Sequence, residues 1–296
     1  MKIFLKFVYI VRLILYLPLR LIVFAGNLYS RILKIIDRRN HDTFWLEIMQ
    51  KSIDKNISKK IKISKDKEIQ FYCPSKIASF RVKTFFTKEP ETIEWMNEYG
   101  SGNKILYDIG ANMGIYTVYY AKKFNSQVYA FEPQFRNLEL LKKNIKLNLI
   151  ENEVSLIPNP LFGKSLISNF FQLRSVAGDA VSTFNDESTK NIMLNNENVA
   201  KSNMKNDSMQ YKVLGLSIDN LTEQNLIKPP DLIKIDVDGN EDQILNGLKN
   251  TIQKTKKISM LIETGAATSK KNIEEILNNC ELKKIKQITT NSIWVK

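Results

Sequence analysis

Residues 105–121 read ILYDIGANMGIYTVYYA, and this stretch decides the fold. It begins with a short apolar run, passes through a loop that holds Gly110 and Gly114, and continues in a helical pattern. Glycines at such a point let the backbone turn tightly and let a ligand approach where a Cβ would otherwise stand. A strand, a glycine loop and a helix in this order indicate an open α/β sheet whose loop binds a nucleotide-like cofactor.

The flanking sequence repeats this alternation of strand and helix patterns. Short apolar runs predict buried strands over residues 69–73, 105–109, 127–131, 154–157, 232–237 and 259–262. Amphipathic patterns predict helices over residues 87–99, 116–124, 134–149, 241–250 and 270–279. Strands that alternate with helices indicate βαβ units and a parallel sheet with helices on both faces.

The predicted strand after the glycine loop ends in an acid. Glu132 closes the run VYAFE, where a carboxylate can accept hydrogen bonds from two ribose hydroxyls, and Phe131 can form a wall for an adenine. The pattern suits either NAD or S-adenosylmethionine. Asn112 stands where a dinucleotide fingerprint has its second glycine, and Asp108 would repel a pyrophosphate but suits an ammonium group. These two residues favour S-adenosylmethionine.

A second block, residues 231–241, reads DLIKIDVDGNE. Its apolar strand carries Asp236 and Asp238 to the carboxyl end, and alternation places both on one face. Two acids and Lys234 in a buried run cost free energy unless they are paired, so the pattern predicts a site rather than a surface turn. Glu263, at the end of SMLIE, adds a carboxylate at the same edge of the sheet.

The blocks ILYDIGANMGIYTVYYA, VYAFEPQFRNLELLKKNIKLN and PPDLIKIDVDGNEDQILNG resemble those of FkbM-type S-adenosylmethionine-dependent methyltransferases. The resemblance covers roughly residues 80–263 and includes TKEPET at residues 87–92. It implies an α/β, class I methyltransferase (Rossmann-like) fold with an open, mostly parallel sheet of seven strands and helices on both faces. It also implies O-methylation, commonly of a sugar or polyketide hydroxyl.

Residue by residue, the resemblance implies two groups of site residues. The cofactor group is Asp108, Gly110, Asn112, Gly114 and Glu132, and the active-site group is Lys234, Asp236, Asp238 and Glu241. The family more often has Glu where Asp238 stands, which weakens the role assigned to that position.

The expected base is a carboxylate, since the only histidine, His41, lies far from these blocks. We expect Asp236 or Asp238 to act as the base, with Glu263 as the third candidate. Asp236, Asp238 and Glu241 could instead bind Mg²⁺, and we favour the metal-free mechanism slightly.

Charge is concentrated at the N-terminus. The net charge is +13 over 296 residues, of which residues 1–65 carry +10 and the rest +3. The nearly neutral remainder of the chain lacks the basic groove expected of a nucleic-acid methyltransferase. A nucleic-acid methyltransferase is nevertheless the alternative enzymatic interpretation. Two cysteines without a CxxC motif exclude a disulfide framework or a zinc finger.

Residues 1–40 form an apolar, basic segment. Lys6, Arg12 and Arg20 interrupt it, which leaves no run of about 18 apolar residues for a spanning helix. Its cations share one helical sector, which predicts an amphipathic helix on an anionic membrane surface, kinked or divided at Pro18. The alternatives are a packing helix or dimer arm, and a tilted span.

The pattern therefore predicts three parts of the chain. These are a helical leader (residues 1–40), an accessory segment (41–103) and a methyltransferase domain (104–296) with a polar insertion at residues 182–208. Together they suggest an O-methyltransferase for a sugar of a glycan or glycolipid, bound peripherally to the inner face of the membrane. A membrane-tethered module that binds the cofactor without catalysis is the non-enzymatic alternative.

Overall fold

The structure is a computed structural model that describes residues 2–36, 44–174, 176–195, 208–264 and 270–296. The chain divides into two compact units, Met1–Ser58 and Lys59–Lys296. The predicted boundaries at residues 40 and 103 stay predictions.

The first unit contains two helices, α1 (Lys2–Ile36) and α2 (Phe44–Asn56). Pro18 lies inside α1, which continues past it as one helix, so this proline does not divide the segment, and the alternative prediction of a kink stays a prediction. Gly26 lets the helices approach, since a Cβ there would lie 2.3 Å from the Trp45 ring. Within the described ranges, no helix is long and apolar enough to cross a bilayer.

The remaining strands and helices begin at residue 58. The strands are β1 (Ser58–Lys62), β2 (Glu68–Tyr72), β3 (Leu106–Ile109), β4 (Val128–Phe131), β5 (Val154–Ile157), β6 (Leu166–Gln172), β7 (Ser182–Phe184), β8 (Met209–Gly215), β9 (Leu232–Ile235), β10 (Ser259–Glu263), β11 (Lys283–Ile288) and β12 (Asn291–Val295). The helices are α3 (Lys76–Lys83), α4 (Pro90–Tyr99), α5 (Ile115–Phe124), α6 (Phe135–Leu147), α7 (Glu187–Asn195), α8 (Ile218–Glu223), α9 (Glu241–Asn246), α10 (Lys249–Lys254) and α11 (Lys270–Asn279).

The main sheet of the described chain has seven strands in the order β5-β4-β3-β9-β10-β12-β11. The first five of these are parallel, and β12 is antiparallel to both of its neighbours. This arrangement confirms the predicted open, mostly parallel seven-stranded sheet. From β3 the chain first adds β4 and β5 on one side, and later adds β9 and β10 on the other side. The direction of strand order therefore reverses at β3, and a ligand crevice is expected at its carboxyl end.

A smaller antiparallel sheet, in the order β7-β6-β8, was not predicted from the sequence. The predicted polar insertion begins with β7 and α7, while residues 196–207 of it lie outside the described residues. The pairing of β6 with β8 joins segments about 40 residues apart, so local sequence patterns do not reveal it.

The predicted helix over residues 241–250 is two helices, α9 and α10, so this prediction is wrong in its continuity. Gly247 lies between the two helices. Its backbone packs closely against Phe162, since a Cβ there would lie 2.3 Å from the Phe162 carbonyl oxygen. The Asp219 carboxylate then accepts hydrogen bonds from the backbone N–H groups of Asn250 and Thr251 at 3.1 and 2.8 Å, which caps the start of α10.

Candidate active site

A cavity of about 460 Å³ opens at the carboxyl ends of β3, β4 and β9, where the strand order predicts the ligand crevice. Its walls combine residues from all three sequence blocks. Predicted site residues among them are Gly110, Asn112, Phe131, Glu132, Asp236, Asp238 and Glu263. The fold therefore brings the predicted cofactor acid and three predicted catalytic carboxylates to one cavity.

The glycine loop lies tightly against the end of β9. Gly110 has a positive φ of 80°, and a Cβ there would lie 2.0 Å from the Asp236 carbonyl oxygen. Any larger residue would push the end of β3 away from Asp236. Asn112 also has a positive φ, and its side-chain amide donates to the Asp179 carbonyl at 2.8 Å.

Glu132 is held by the backbone at the end of β4. One carboxylate oxygen accepts from Asn112 N–H at 2.7 Å, and the other accepts from Gln134 N–H at 2.8 Å. Burial raises the pKa of Glu132 to about 7, against the lowering effect of these two hydrogen bonds. The carboxylate is thus rigidly oriented on the cavity wall, beside Phe131 and Pro133.

Asp108 and Gly114 lie outside the residues that line this cavity. Asp108 is 1% exposed and accepts a hydrogen bond from the Thr117 hydroxyl at 2.5 Å. Gly114 begins α5 with a φ of 82°, and a Cβ there would lie 2.3 Å from Leu141 of α6. Both residues pack against helices that flank the loop, Asp108 against α5 and Gly114 against α6. Their assignment to the cofactor stays a prediction.

Asp236 forms an ion pair with Lys234, whose ammonium lies 2.6 Å from its carboxylate. Burial alone would raise the pKa of Asp236, but Lys234 and a hydrogen bond with Glu263 hold it well below its usual range. Burial and the same hydrogen bond raise the pKa of Glu263. The opposite directions of these two pKa shifts favour an ionised Asp236 beside a protonated Glu263.

Asp238 stands near the Asp236 and Glu263 pair on the cavity wall. It accepts a hydrogen bond from Ser182 N–H of β7 at 3.2 Å, and burial raises its pKa to about 7. A carboxylate that titrates near neutral pH suits a general base.

A magnesium site does not fit the described residues. Glu241 is buried, accepts a hydrogen bond from the Gly239 N–H at 3.4 Å and does not line the cavity. Within the ranges that the structure describes, no group of three His, Cys, Asp or Glu side chains could hold a metal ion. Lys234 already occupies the position of a cation beside Asp236.

A second, smaller cavity of about 40 Å³ adjoins the glycine loop and includes residues to which the sequence assigned no role. Arg81, Lys88, Glu89 and Tyr116 are among the residues that line it, together with Lys234 and Asp236. The motif TKEPET, which contains Lys88 and Glu89, was the available signal. It marked the segment as part of the resemblance but did not indicate its chemistry.

The chain is similar in sequence to a characterised methyltransferase. The hexuronic acid methyltransferase AglP of Haloferax volcanii is 24% identical to this chain over 196 residues, which cover 66% of the chain and 70% of AglP.

Two solved structures are similar over most of the chain. Methyltransferase FkbM from Methylobacillus flagellatus KT matches at 13% identity and a TM-score of 0.43. The match covers 67% of this chain but only 44% of the Methylobacillus protein, so this chain spans less than half of that protein's length. Magnesium protoporphyrin IX methyltransferase from Synechocystis PCC 6803 matches at 8% identity and a TM-score of 0.42, covering 75% of this chain and 84% of that one. Because both TM-scores are below 0.5, the fold assignment rests on the strand order described above.

A family model, the methyltransferase FkbM domain, matches residues 108–283. This range begins at the glycine loop, contains Glu132, Asp236, Asp238 and Glu263, and covers more than half of the 296 residues. The chain therefore belongs to the FkbM methyltransferase family.

Proposed function

We propose that the protein is an S-adenosylmethionine-dependent O-methyltransferase that acts on a sugar hydroxyl. One observation carries this proposal: a single cavity joins Glu132, the predicted ribose ligand, to the carboxylates of Asp236, Asp238 and Glu263. A cofactor bound beside Glu132 would share this cavity with an acceptor beside the carboxylates.

The residues around Glu132 fit the adenosine part of the cofactor. Its two oxygens, oriented by backbone N–H groups, offer further lone pairs to the two ribose hydroxyls. Phe131 and Pro133 supply apolar surface for the adenine. When bound, S-adenosylmethionine supplies an electrophilic methyl group on a sulfonium sulfur.

The carboxylates would prepare the acceptor. Ionised Asp236, fixed by Lys234, would accept a hydrogen bond from a neighbouring hydroxyl of the sugar and so orient the reacting oxygen. Asp238, with its pKa near 7, would take the hydroxyl proton as the oxygen becomes methylated. Protonated Glu263 would keep Asp236 in place through their shared hydrogen bond.

A sugar acceptor matches the chemistry of the remaining wall. Asn159, Thr183, Thr189 and Asn240 line the same cavity and provide the amides and hydroxyls that bind polyols. The similarity to AglP, a hexuronic acid methyltransferase, supports a glycan sugar as the acceptor class.

The test of this function is calorimetry of the full chain with S-adenosylmethionine, followed by methyl transfer to glycans of the cell envelope. We expect saturable 1:1 binding and transfer of the methyl group to a sugar hydroxyl. Absence of binding would disprove the methyltransferase proposal, and binding without transfer to any acceptor would favour the non-catalytic alternative.

The pH dependence tests the role of Asp238. At saturating cofactor and acceptor, kcat should rise with pH through about 7 as Asp238 loses its proton. It should fall at higher pH, once Glu263, whose pKa is also raised, loses its proton. Asp238→Asn should remove the rise and lower kcat about 100-fold or more.

Asp242→Asn is the matched control for this experiment, since Asp242 belongs to the same segment and does not line the cavity. Its profile should equal that of the wild type. If Asp238→Asn keeps the rise near pH 7, Asp238 is not the base.

We also propose that α1 lies on an anionic membrane at its inner face, near a lipid-linked acceptor. Leu17, Leu21 and Phe24 are 57%, 59% and 67% exposed, and Arg20 and Arg31 are exposed on the same helix. Apolar and cationic side chains on one exposed helix are typical of helices that bind the interface of anionic bilayers.

The membrane proposal predicts a loss of vesicle binding in Leu21→Glu/Phe24→Glu. Because two apolar side chains would no longer enter the bilayer, binding to vesicles with anionic lipid should weaken about tenfold or more. Ile285→Glu is the control, since Ile285 is 49% exposed in the second unit. Equal sedimentation of the double variant and the control would contradict the proposal.

A further inference from the structure

The small cavity beside the glycine loop is an extension of the main cavity. Arg81, Lys88, Gly110, Asn112 and Asp236 line both, so the two spaces meet at these residues. At about 40 Å³, the small cavity has room for only a few atoms. Its walls are the loop that begins at Gly110 on one side and the α3–α4 connection on the other.

Arg81, at the end of α3, and Glu89, in the α3–α4 connection, place opposite charges in this cavity. The Arg81 Nε donates to the Gly178 carbonyl oxygen at 2.8 Å, which fixes one edge of the guanidinium. The Glu89 side chain is only 13% exposed, and one of its oxygens accepts a hydrogen bond from the Tyr116 hydroxyl at 2.8 Å. Each charged group is thus oriented by a neighbour before any ligand arrives.

We propose that the small cavity binds the amino-acid end of S-adenosylmethionine, with Arg81 bound to its carboxylate and Glu89 bound to its ammonium. This inference rests on the proposed function. The amino-acid end carries one negative and one positive group, and removing either from water is costly unless an opposite charge replaces the lost hydration. Arg81 and Glu89 supply both charges next to the glycine loop.

Glu89 is better placed for this role than Asp108, the residue that the sequence suggested. Asp108 is 1% exposed and lines neither cavity, whereas Glu89 lines the small one. The second oxygen of Glu89 already pairs with the Lys88 ammonium. Because Lys88 is half exposed, its ammonium can move into water and leave that oxygen to the ammonium of the cofactor.

One of the three proposed catalytic carboxylates lies where the two cavities meet. Asp236 lines both cavities, so it lies at the junction between the space assigned to the adenosine and the space assigned to the amino-acid end. The carboxylate proposed to orient the acceptor hydroxyl is therefore at the junction of the two spaces.

The test compares two ligands that differ in the amino-acid end. S-adenosylhomocysteine has the carboxylate and the ammonium, and 5′-methylthioadenosine lacks both. Calorimetry of the wild-type full chain should show a strong preference for S-adenosylhomocysteine. Arg81→Met and Glu89→Gln should each reduce this preference about tenfold or more, because each removes a charge-assisted hydrogen bond, while the affinity for 5′-methylthioadenosine stays within twofold.

Matched controls lie on the same two helices. Lys83→Met and Glu94→Gln change exposed residues that line neither cavity and should leave the preference unchanged. Arg81→Lys should recover part of what Arg81→Met loses, because it restores the positive charge.

The outcomes separate this inference from the proposed function. If the wild type binds neither ligand, the proposed function fails. If the wild type prefers S-adenosylhomocysteine and both variants keep that preference, the function stands and the assignment of Arg81 and Glu89 is wrong. A variant that weakens both ligands equally would also overturn the assignment, since that result indicates a structural role.

Discussion

Asp236→Asn is expected to lower kcat about 100- to 1,000-fold while the Kd for S-adenosylmethionine stays within threefold. Asp236 lines the cavity with a carboxylate fixed by Lys234 at 2.6 Å. The amide has nearly the same shape but carries no negative charge to hold the neighbouring sugar hydroxyl that orients the reacting oxygen. Measurement of kcat at saturating cofactor, together with Kd by calorimetry, separates the two effects.

The control for Asp236→Asn is its unfolding curve, because the substitution leaves the buried Lys234 without its carboxylate partner. If the variant unfolds at lower temperature, kcat is compared well below that transition. A kcat within threefold of the wild type would show that Asp236 has no role in the chemical step.

Glu132→Ala is expected to weaken the binding of S-adenosylmethionine about 100-fold or more, because two hydrogen bonds between the ribose and a carboxylate are lost. The pKa of Glu132, raised to about 7 by burial, adds a second signature. The ionised carboxylate is the better acceptor, so wild-type affinity should increase as pH rises through about 7. Calorimetry from pH 6 to pH 8 measures both effects.

Glu132→Gln and Glu139→Ala complete this experiment. Glu132→Gln should bind the cofactor weakly with no dependence on pH near 7, since it cannot ionise. Glu139 lies on α6 with 58% of its side chain exposed, so its replacement should leave binding unchanged. Equal affinity of Glu132→Ala and the wild type would place the ribose elsewhere.

The sequence was sufficient to predict the five parallel strands of the main sheet and most of the cavity, but not the antiparallel edge formed by β12 and β11. Strands β3, β4 and β9 are short apolar runs that end at the glycine loop, Glu132 and Asp236. Because parallel strands end at one edge, the sequence order alone places these residues together. The predicted β5 has the same bounds as the observed strand, Val154–Ile157.

The side-chain orientation of Asp108 could not be predicted from the sequence. All four residues of β3 are buried, so both faces of the strand are covered and alternation does not show which face meets a ligand. In the structure, Tyr107 and Ile109 join the core, while Asp108 faces Thr117 of α5.

Arg81 and Glu89 were missed for a different reason. They precede the glycine loop by more than 20 residues, in a segment that also holds exposed charged residues such as Lys83 and Glu94. Only the tertiary structure, which packs the α3–α4 connection against the loop, shows that Arg81 and Glu89 line the small cavity.

The most direct test of the central claim is methyl transfer from S-adenosylmethionine carrying an isotopically labelled methyl group. The full chain is incubated with fractionated glycolipids and glycans of the cell envelope and, separately, with RNA and DNA, and the products are analysed by mass spectrometry. We predict label as an O-methyl group on a sugar of the glycan fraction, and none with Asp236→Asn. Label on nucleic acid, or no label on any glycan, would contradict the account.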